Sequence, residues 1–92
     1  MGNMEMLKKC FNDAEINNTK WIVILIKYEN KIHEELIINP KIVNPKDSFL
    51  NRLKYYENKY TDELILKSNK DISISRFIYA NSISEIDKSL YN

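Results

Sequence analysis

The stretch that decides the fold is Trp-Ile-Val-Ile-Leu-Ile-Lys-Tyr at residues 21–28. It is dense in β-branched and aromatic residues, which are enriched in β-strands. Apolar side chains occupy both odd and even positions, so both faces of such a strand need cover. That pattern is typical of the centre of a sheet. We therefore predict a central strand from Trp21 to Tyr28.

A second strand follows directly. Glu29-Asn30-Lys31 predicts a hairpin turn, in which Asn30 is able to tolerate a left-handed conformation. The strand expected from Ile32 to Asn39 is less hydrophobic, which favours the edge of the sheet, and Pro40 ends it because proline cannot donate to a ladder. One face would carry Ile32, Glu34, Leu36 and Ile38, and the other His33, Glu35, Ile37 and Asn39.

Three segments have helical periodicity. Residues 4–15 carry an apolar stripe of Met4, Leu7, Phe11 and Ala14. A longer helix is expected to open at Asn44-Pro45, because Asn suits the N-cap and Pro the first helical position. Its stripe would run through Phe49, Leu53, Tyr56 and Tyr60, with an extension to Leu64. Ser82-Ile83-Ser84-Glu85 fits a capping box before a short helix carrying Ile83, Ile86 and Leu90.

Ile72 to Tyr79 predicts a third strand, with Ile72, Ile74 and Ile78 alternating with Ser73, Ser75 and Phe77. The element order is then α-β-β-α-β-α. A right-handed crossover makes strand three parallel to strand two, with strand one between them. We expect an α+β fold with a three-stranded antiparallel sheet of order 2-1-3, packed on a long central helix. The terminal helices, or a partner, would cover the other face.

Composition narrows the class of protein. The 92 residues fit one α+β domain over residues 1–92, and 43% hydrophobic residues suffice for one core. A net charge of +1 disfavours a nucleic-acid binder, which needs a basic excess, and an acidic mimic of DNA. The single cysteine allows no intramolecular disulfide, and no signal or membrane-spanning segment is predicted. We expect a cytoplasmic protein with no membrane partner.

Few residues could carry chemistry. One glycine cannot build a phosphate-binding loop, and one cysteine with one histidine falls short of the four ligands of a structural zinc site. We interpret Cys10 as a small, partly buried hydrophobe and His33 as an exposed histidine on an edge strand. The adjacent Glu34 and Glu35 point to opposite faces of their strand, so they cannot act as an acid–base pair. We therefore expect a protein that is not an enzyme and that needs no metal or cofactor.

Tyrosine is the most informative enrichment, with six residues. Tyr56 and Tyr60 fall in the core stripe of the second helix, whereas Tyr55 lies about 100° away from Tyr56. Arg52 and Lys59 are three and four residues from Tyr55, on its side of the helix. Tyrosine and arginine are favoured at protein interfaces. Tyr55, Arg52 and Lys59 are therefore the candidate interaction residues, against the alternative of an ordinary amphipathic helix surface.

The stretch from Trp21 to Tyr79 resembles an uncharacterised family of small phage and prophage proteins from low-GC Gram-positive bacteria. The resemblance rests on Lys20-Trp21-Ile22-Val23, Ile37-Ile38-Asn39-Pro40, Leu53-Lys54-Tyr55-Tyr56 with Tyr60, Leu64 with Lys67, and the strand from Ile72 to Phe77. It implies an accessory gene of a mobile element and carries no assigned chemistry.

Three functions remain open at this point. The first is a non-catalytic binding protein, encoded by a phage or plasmid, that acts on a host protein; an anti-defence inhibitor resembling anti-CRISPRs is its most specific form. The second is a nucleic-acid-binding accessory factor, with Lys and Arg on phosphates and Tyr stacking on a base. The third is an oligomeric sponge for a small molecule such as a signalling nucleotide. If the terminal helices leave the second sheet face open, we expect a homodimer.

Overall fold

The strand Trp21–Tyr28 (β1) lies in the middle of the sheet, as its sequence predicts. The structure is a computed structural model that describes residues 2–90. β1 pairs antiparallel with Lys31–Ile38 (β2) on one side and with Ile72–Ala80 (β3) on the other, giving the order β2-β1-β3. Ile22, Val23, Ile24 and Leu25 are all buried, so both faces of β1 are covered.

Three α-helices complete the α+β fold within residues 2–90. They are Asn3–Asn17 (α1), Phe49–Lys59 (α2) and Ile83–Leu90 (α3), and a short 3-10 turn spans Pro40–Ile42. The predicted stripe of α1 is confirmed, because Met4, Leu7, Phe11 and Ala14 are its buried residues. α1 ends where Asn18 takes the left-handed conformation, with φ of 51°.

The β1–β2 hairpin is tighter than expected. Tyr28 pairs with Lys31, so the connection is Glu29-Asn30 and β2 begins and ends one residue earlier than predicted. The left-handed residue is Glu29, with φ of 57°, and not Asn30. A positive φ at the first of two loop residues is the pattern of a type II′ turn, which matches the twist of the strands it joins. Turn geometry therefore overrides the preference of asparagine for left-handed backbone.

α2 begins later than Asn44-Pro45. Pro40 starts the 3-10 turn, and the helix opens at Phe49 with Ser48 as its N-cap, whose hydroxyl accepts from the Leu50 N–H at 3.0 Å. Asn44 instead accepts a local bond from the Lys46 N–H. The predicted N-cap was wrong because asparagine favours turns as strongly as helix starts.

The apolar stripe of α2 is buried, but the helix ends before Leu64. Phe49, Leu53, Tyr56 and Tyr60 are all buried. The helix stops at Lys59, and Leu64 is a buried loop residue with φ of 64°. The Leu64 carbonyl accepts from the Ile74 N–H at 2.9 Å, so this loop lies along the outer edge of β3.

β3 contains a bulge that changes which residues share a face. Ile26 pairs with Ile74 and Leu25 with Arg76, which leaves Ser75 as an extra residue. Ile74 packs in the core that includes α1 and α2, whereas Ile78 packs in the core that includes α3. The predicted grouping of Ile74 with Ile78 is therefore wrong, because one inserted residue reverses the alternation beyond it.

The helices are distributed differently from the expectation. α1 and α2 share one face, where their apolar residues surround Ile22 and Ile24. α1 has 15 residues and α2 has 11, so the central helix is not the longest. The other face is covered by α3 alone, through Ile86 and Leu90 against Val23 and Leu25. One terminal helix, not both, covers that face.

The start of α3 is close to a capping box. The Ser82 hydroxyl accepts from the Glu85 N–H at 3.3 Å, as the motif requires. The Glu85 carboxylate reaches back to the N–H of Asn81, one residue before the expected position. Both bonds satisfy backbone donors at the helix start.

Candidate functional site

The predicted α2 surface is exposed. Tyr55 is 55% exposed, and its ring meets that of Tyr56 edge to face with centroids 5.2 Å apart. Arg52 and Lys59 are exposed on the same helix. The exposed half of the Tyr55 ring is a surface on which a partner could pack. The role of Tyr55, Arg52 and Lys59 as interaction residues stays a prediction.

Arg52 already has a carboxylate partner. Its Nη2 lies 3.1 Å from Oδ2 of Asp47. The other carboxylate oxygen, Oδ1, accepts from the Asn51 side chain and the Ser48 N–H. The Asn51 hydrogen bond, followed by the Ser48 N–H, lowers the pKa of the Asp47 carboxyl. Asp47 thus holds Arg52 against the start of α2, which leaves Lys59 as the more available cation of the pair.

Cys10 packs as a partly buried hydrophobe at the wall of an open cavity. The cavity has a volume of about 380 Å³ and is also lined by Met6, Phe77 and Tyr79. Burial raises the pKa of the Cys10 thiol to about 12. The thiol is therefore protonated at neutral pH, and a thiol in that form is a weak nucleophile.

His33 and Glu35 lie on the β2 face that turns toward α2. His33 is exposed, as its place on an edge strand predicts. Glu35 accepts a hydrogen bond from the Tyr56 hydroxyl at 2.8 Å. Burial and this bond raise the pKa of Tyr56 above its ordinary value. The contact joins α2 to the edge of the sheet and gives Glu35 a structural role.

The opposite face of β2 carries three exposed apolar side chains, which we call the β2 apolar row. Ile32 is 52% exposed, Leu36 47% and Ile38 53%. They lie on the α3 side of the sheet, because Leu36 pairs with the buried Val23 and cross-strand partners share a face. α3 packs on β3 and β1 and leaves this row open to solvent.

The outer edge of β2 also presents backbone groups. The Asn39 N–H donates to the Lys20 carbonyl at 2.8 Å, which continues the β1–β2 ladder. Hydrogen-bonded pairs alternate along an antiparallel ladder, so the N–H and C=O groups of Ile32 and Leu36 point away from β1. The outer edge of β3 differs, because the loop around Leu64 bonds to part of it.

Neither a metal cluster nor a membrane span is found within residues 2–90. No group of three or more His, Cys, Asp or Glu side chains there could hold a metal ion. No helix in that range has both the length and the apolar content to cross a membrane.

Comparison with known protein families, with curated proteins and with solved structures found no match for this chain. The function must therefore be inferred from the chain's own residues. The sequence correctly predicted that the residues of the β2 apolar row share one face of an edge strand. It did not identify the row as exposed, because the reach of α3 across the sheet is not encoded in the periodicity of β2.

Proposed function

We propose that this protein is a non-catalytic binding protein, encoded by a phage or another mobile element, that acts on a host protein in the host cytoplasm. An anti-defence inhibitor is the most specific form of this proposal. The sequence resemblance described above supports the mobile-element origin. The fold supplies exposed surface suited to a protein partner.

The β2 apolar row carries the proposal. Three aliphatic side chains on one strand are each about half exposed, beside backbone groups that point outward. Burying the exposed half of such side chains is worth about 1 kcal/mol each. Outward backbone groups can accept an added strand from a partner, which is a common mode of protein recognition. An edge with both features is suited to binding a protein segment.

The α2 residues form a second candidate surface for the same function. Tyr55, Arg52 and Lys59 lie on the exposed side of α2, whereas the row lies on the α3 side of the sheet. The two surfaces are separated by the sheet and can be tested independently. Binding through either surface would make the protein a binding module, but the residues in contact with the partner would differ.

The test is capture of a host protein by tagged variants. We expect Leu36→Asp to reduce capture about tenfold or more, because a carboxylate would be buried at the contact. Val43→Asp is the matched control, since Val43 is 87% exposed and lies outside the row. Circular dichroism and thermal melting would check that each variant is folded.

The double variant Tyr55→Ala/Arg52→Ala distinguishes the two surfaces. Loss of capture in this variant with normal capture by Leu36→Asp would assign the contact to α2. Normal capture by both variants would contradict both surfaces. A salt-sensitive mobility shift with DNA or RNA, with no protein captured, would favour the nucleic-acid-binding alternative instead.

A further inference from the structure

A polar cavity lies at the end of the sheet where β1 begins and β2 and β3 end. Its volume is about 330 Å³, within the usual range of ligand pockets. We call it the three-asparagine cavity. Its wall includes Asn18, Asn39, Asn81, Lys20, Lys41 and Ile42. These residues come from three separate segments, so only the folded chain brings them together.

Backbone groups fix the orientation of the buried amide. Asn39 is 4% exposed, and its Nδ2 donates to the Thr19 carbonyl at 2.8 Å and to Oδ1 of Asn18 at 2.9 Å. Its Oδ1 accepts from the Lys41 N–H at 3.0 Å. Both ends of Asn39 are therefore used, and the side chain holds the wall of the cavity together.

The side-chain oxygens of Asn18 and Asn81 both accept hydrogen bonds from other groups of the protein. Oδ1 of Asn18 accepts from Asn39, and Oδ1 of Asn81 accepts from the Lys20 N–H at 3.0 Å. Each amide therefore turns its NH₂ group away from these bonds. Within residues 2–90 neither NH₂ group has a protein acceptor. Two hydrogen-bond donors are thus left at an exposed cavity wall, which favours a ligand that accepts hydrogen bonds.

Two carboxylates lie near the cavity, and each is already bonded within the protein. Glu15 is one of them, and its two oxygens are occupied by the Lys41 ammonium and by the Phe49 N–H. Near the end of α1, the Ala14 and Glu15 carbonyls accept from the N–H groups of Asn18 and Thr19. Glu85 is a second carboxylate in this region, and it accepts from the Asn81 N–H.

Lys20 is the cation left for a ligand. It forms no ion pair with any described residue, and its Nζ lies 5.4 Å from the centre of the Trp21 ring. Lys20, Asn18 and Asn81 all line the cavity, and Ile42 adds an apolar side to it. Charge-assisted hydrogen bonds from such donors are the strong contacts in phosphate and carboxylate recognition.

We propose that the three-asparagine cavity binds a small oxyanion, a phosphate or carboxylate group, through Lys20 and the NH₂ groups of Asn18 and Asn81. This site lies apart from the β2 apolar row and from the α2 residues. It does not depend on the proposed host-protein contact, and either proposal can fail without the other.

Trp21 provides the readout, because it is the single tryptophan of the chain and Lys20 lies over its ring. We expect titration with inorganic phosphate, at constant ionic strength set with sodium chloride, to give a saturable change in fluorescence. Parallel titration with acetate distinguishes a phosphate site from a carboxylate site. In ¹⁵N NMR spectra, the side-chain NH₂ signals of Asn18 and Asn81 should shift with the same affinity.

Asn81→Asp is the decisive variant. Aspartate keeps an oxygen for the Lys20 N–H and replaces the NH₂ donor with a second oxygen, so the local backbone contact is retained. We expect affinity for the bound anion to fall about tenfold or more, from the lost donor and the added negative charge. Asn58→Asp is the matched control on the exposed side of α2, and it should change affinity less than about twofold.

Asn18→Asp gives a second, independent variant if Asn81→Asp proves unstable. It keeps the acceptor for Asn39, and aspartate tolerates the left-handed conformation at this position. A linear, unsaturable response to both phosphate and acetate would overturn the proposal. Equal affinity in Asn81→Asp and Asn58→Asp would also overturn it, because binding would then lie elsewhere.

Discussion

The contact between the Tyr56 hydroxyl and Glu35 shows what a single residue contributes to this fold. The phenol ring is buried against Phe11 and Tyr60, with ring centroids 5.8 and 6.0 Å away. Its hydroxyl donates to Glu35 at the rim, so an aromatic core residue has its polar end satisfied. The sequence identified the ring as a core residue. The partner of the hydroxyl required the structure.

We predict that stability falls at alkaline pH and that Tyr56→Phe reduces this fall. Burial and Glu35 raise the pKa of Tyr56 in the folded state, whereas the unfolded phenol ionises near pH 10. The unfolded state therefore loses its proton first, so the stabilisation is complete below about pH 10 and is lost as pH rises above it. Urea unfolding between pH 8 and about 11.5 measures the slope.

The matched control is Tyr55→Phe, which removes an exposed hydroxyl from the same helix. It should leave the pH dependence of unfolding close to that of the original chain. Tyr56→Phe should also cost about 1 kcal/mol at neutral pH, through the lost hydrogen bond. An unchanged alkaline slope in Tyr56→Phe would contradict the assignment.

At the scale of single elements, turn geometry decides details that residue preferences do not. The hairpin has two loop residues, and the strand register assigns the positive φ to Glu29. The start of α2 is also decided by the surrounding fold. A 3-10 turn at Pro40–Ile42 and a loop come first, and the helix begins only after the N-cap Ser48. In both places several local signals compete, and the surrounding fold selects among them.

The hairpin gives a direct test at this scale. We predict that Glu29→Gly stabilises the protein by about 0.5–1 kcal/mol, because glycine adopts a positive φ without strain. Asn30→Gly is the control and should stabilise nothing, since Asn30 is not among the residues with positive φ. Chemical unfolding measures both changes. A larger gain from Asn30→Gly would show that the left-handed residue is Asn30.

At the scale of the whole molecule, the sheet separates two apolar clusters of unequal size. The larger one lies between the sheet and helices α1 and α2, and the smaller one lies under α3. β1 contributes to both clusters, which is why its sequence is apolar on both faces. A homodimer was expected if the second face of the sheet were left open. α3 buries Val23 and Leu25 on that face, so its exposed apolar side chains on β2 are those of the β2 apolar row.

Two isoleucines of α3 test this architecture. Ile86 is 6% exposed and Ile83 is 67% exposed on the same short helix. We predict that Ile86→Ala costs about 2–4 kcal/mol through the cavity it leaves, whereas Ile83→Ala changes stability by less than about 0.5 kcal/mol. Urea unfolding provides the comparison. Equal effects would mean that α3 does not form the second cluster.

The sequence by itself determined the strand β1, the apolar stripes of α1 and α2, the edge position of β2 and the strand order. These features follow from periodicity and from the right-handed crossover rule, which depend on neighbouring residues and on chain order alone. The exposure of Tyr55, Arg52 and Lys59 also followed from the period of one helix.

Only the tertiary structure decided the bulge at Ser75, the placement of α1 beside α2 and the exposure of the β2 apolar row. It also assembled the three-asparagine cavity. Asn18, Asn39 and Asn81 are joined through hydrogen bonds between segments far apart in the chain. Periodicity describes what one element presents to its surroundings. Which element arrives to cover it, and which amide atoms remain available, depends on packing between distant parts of the chain.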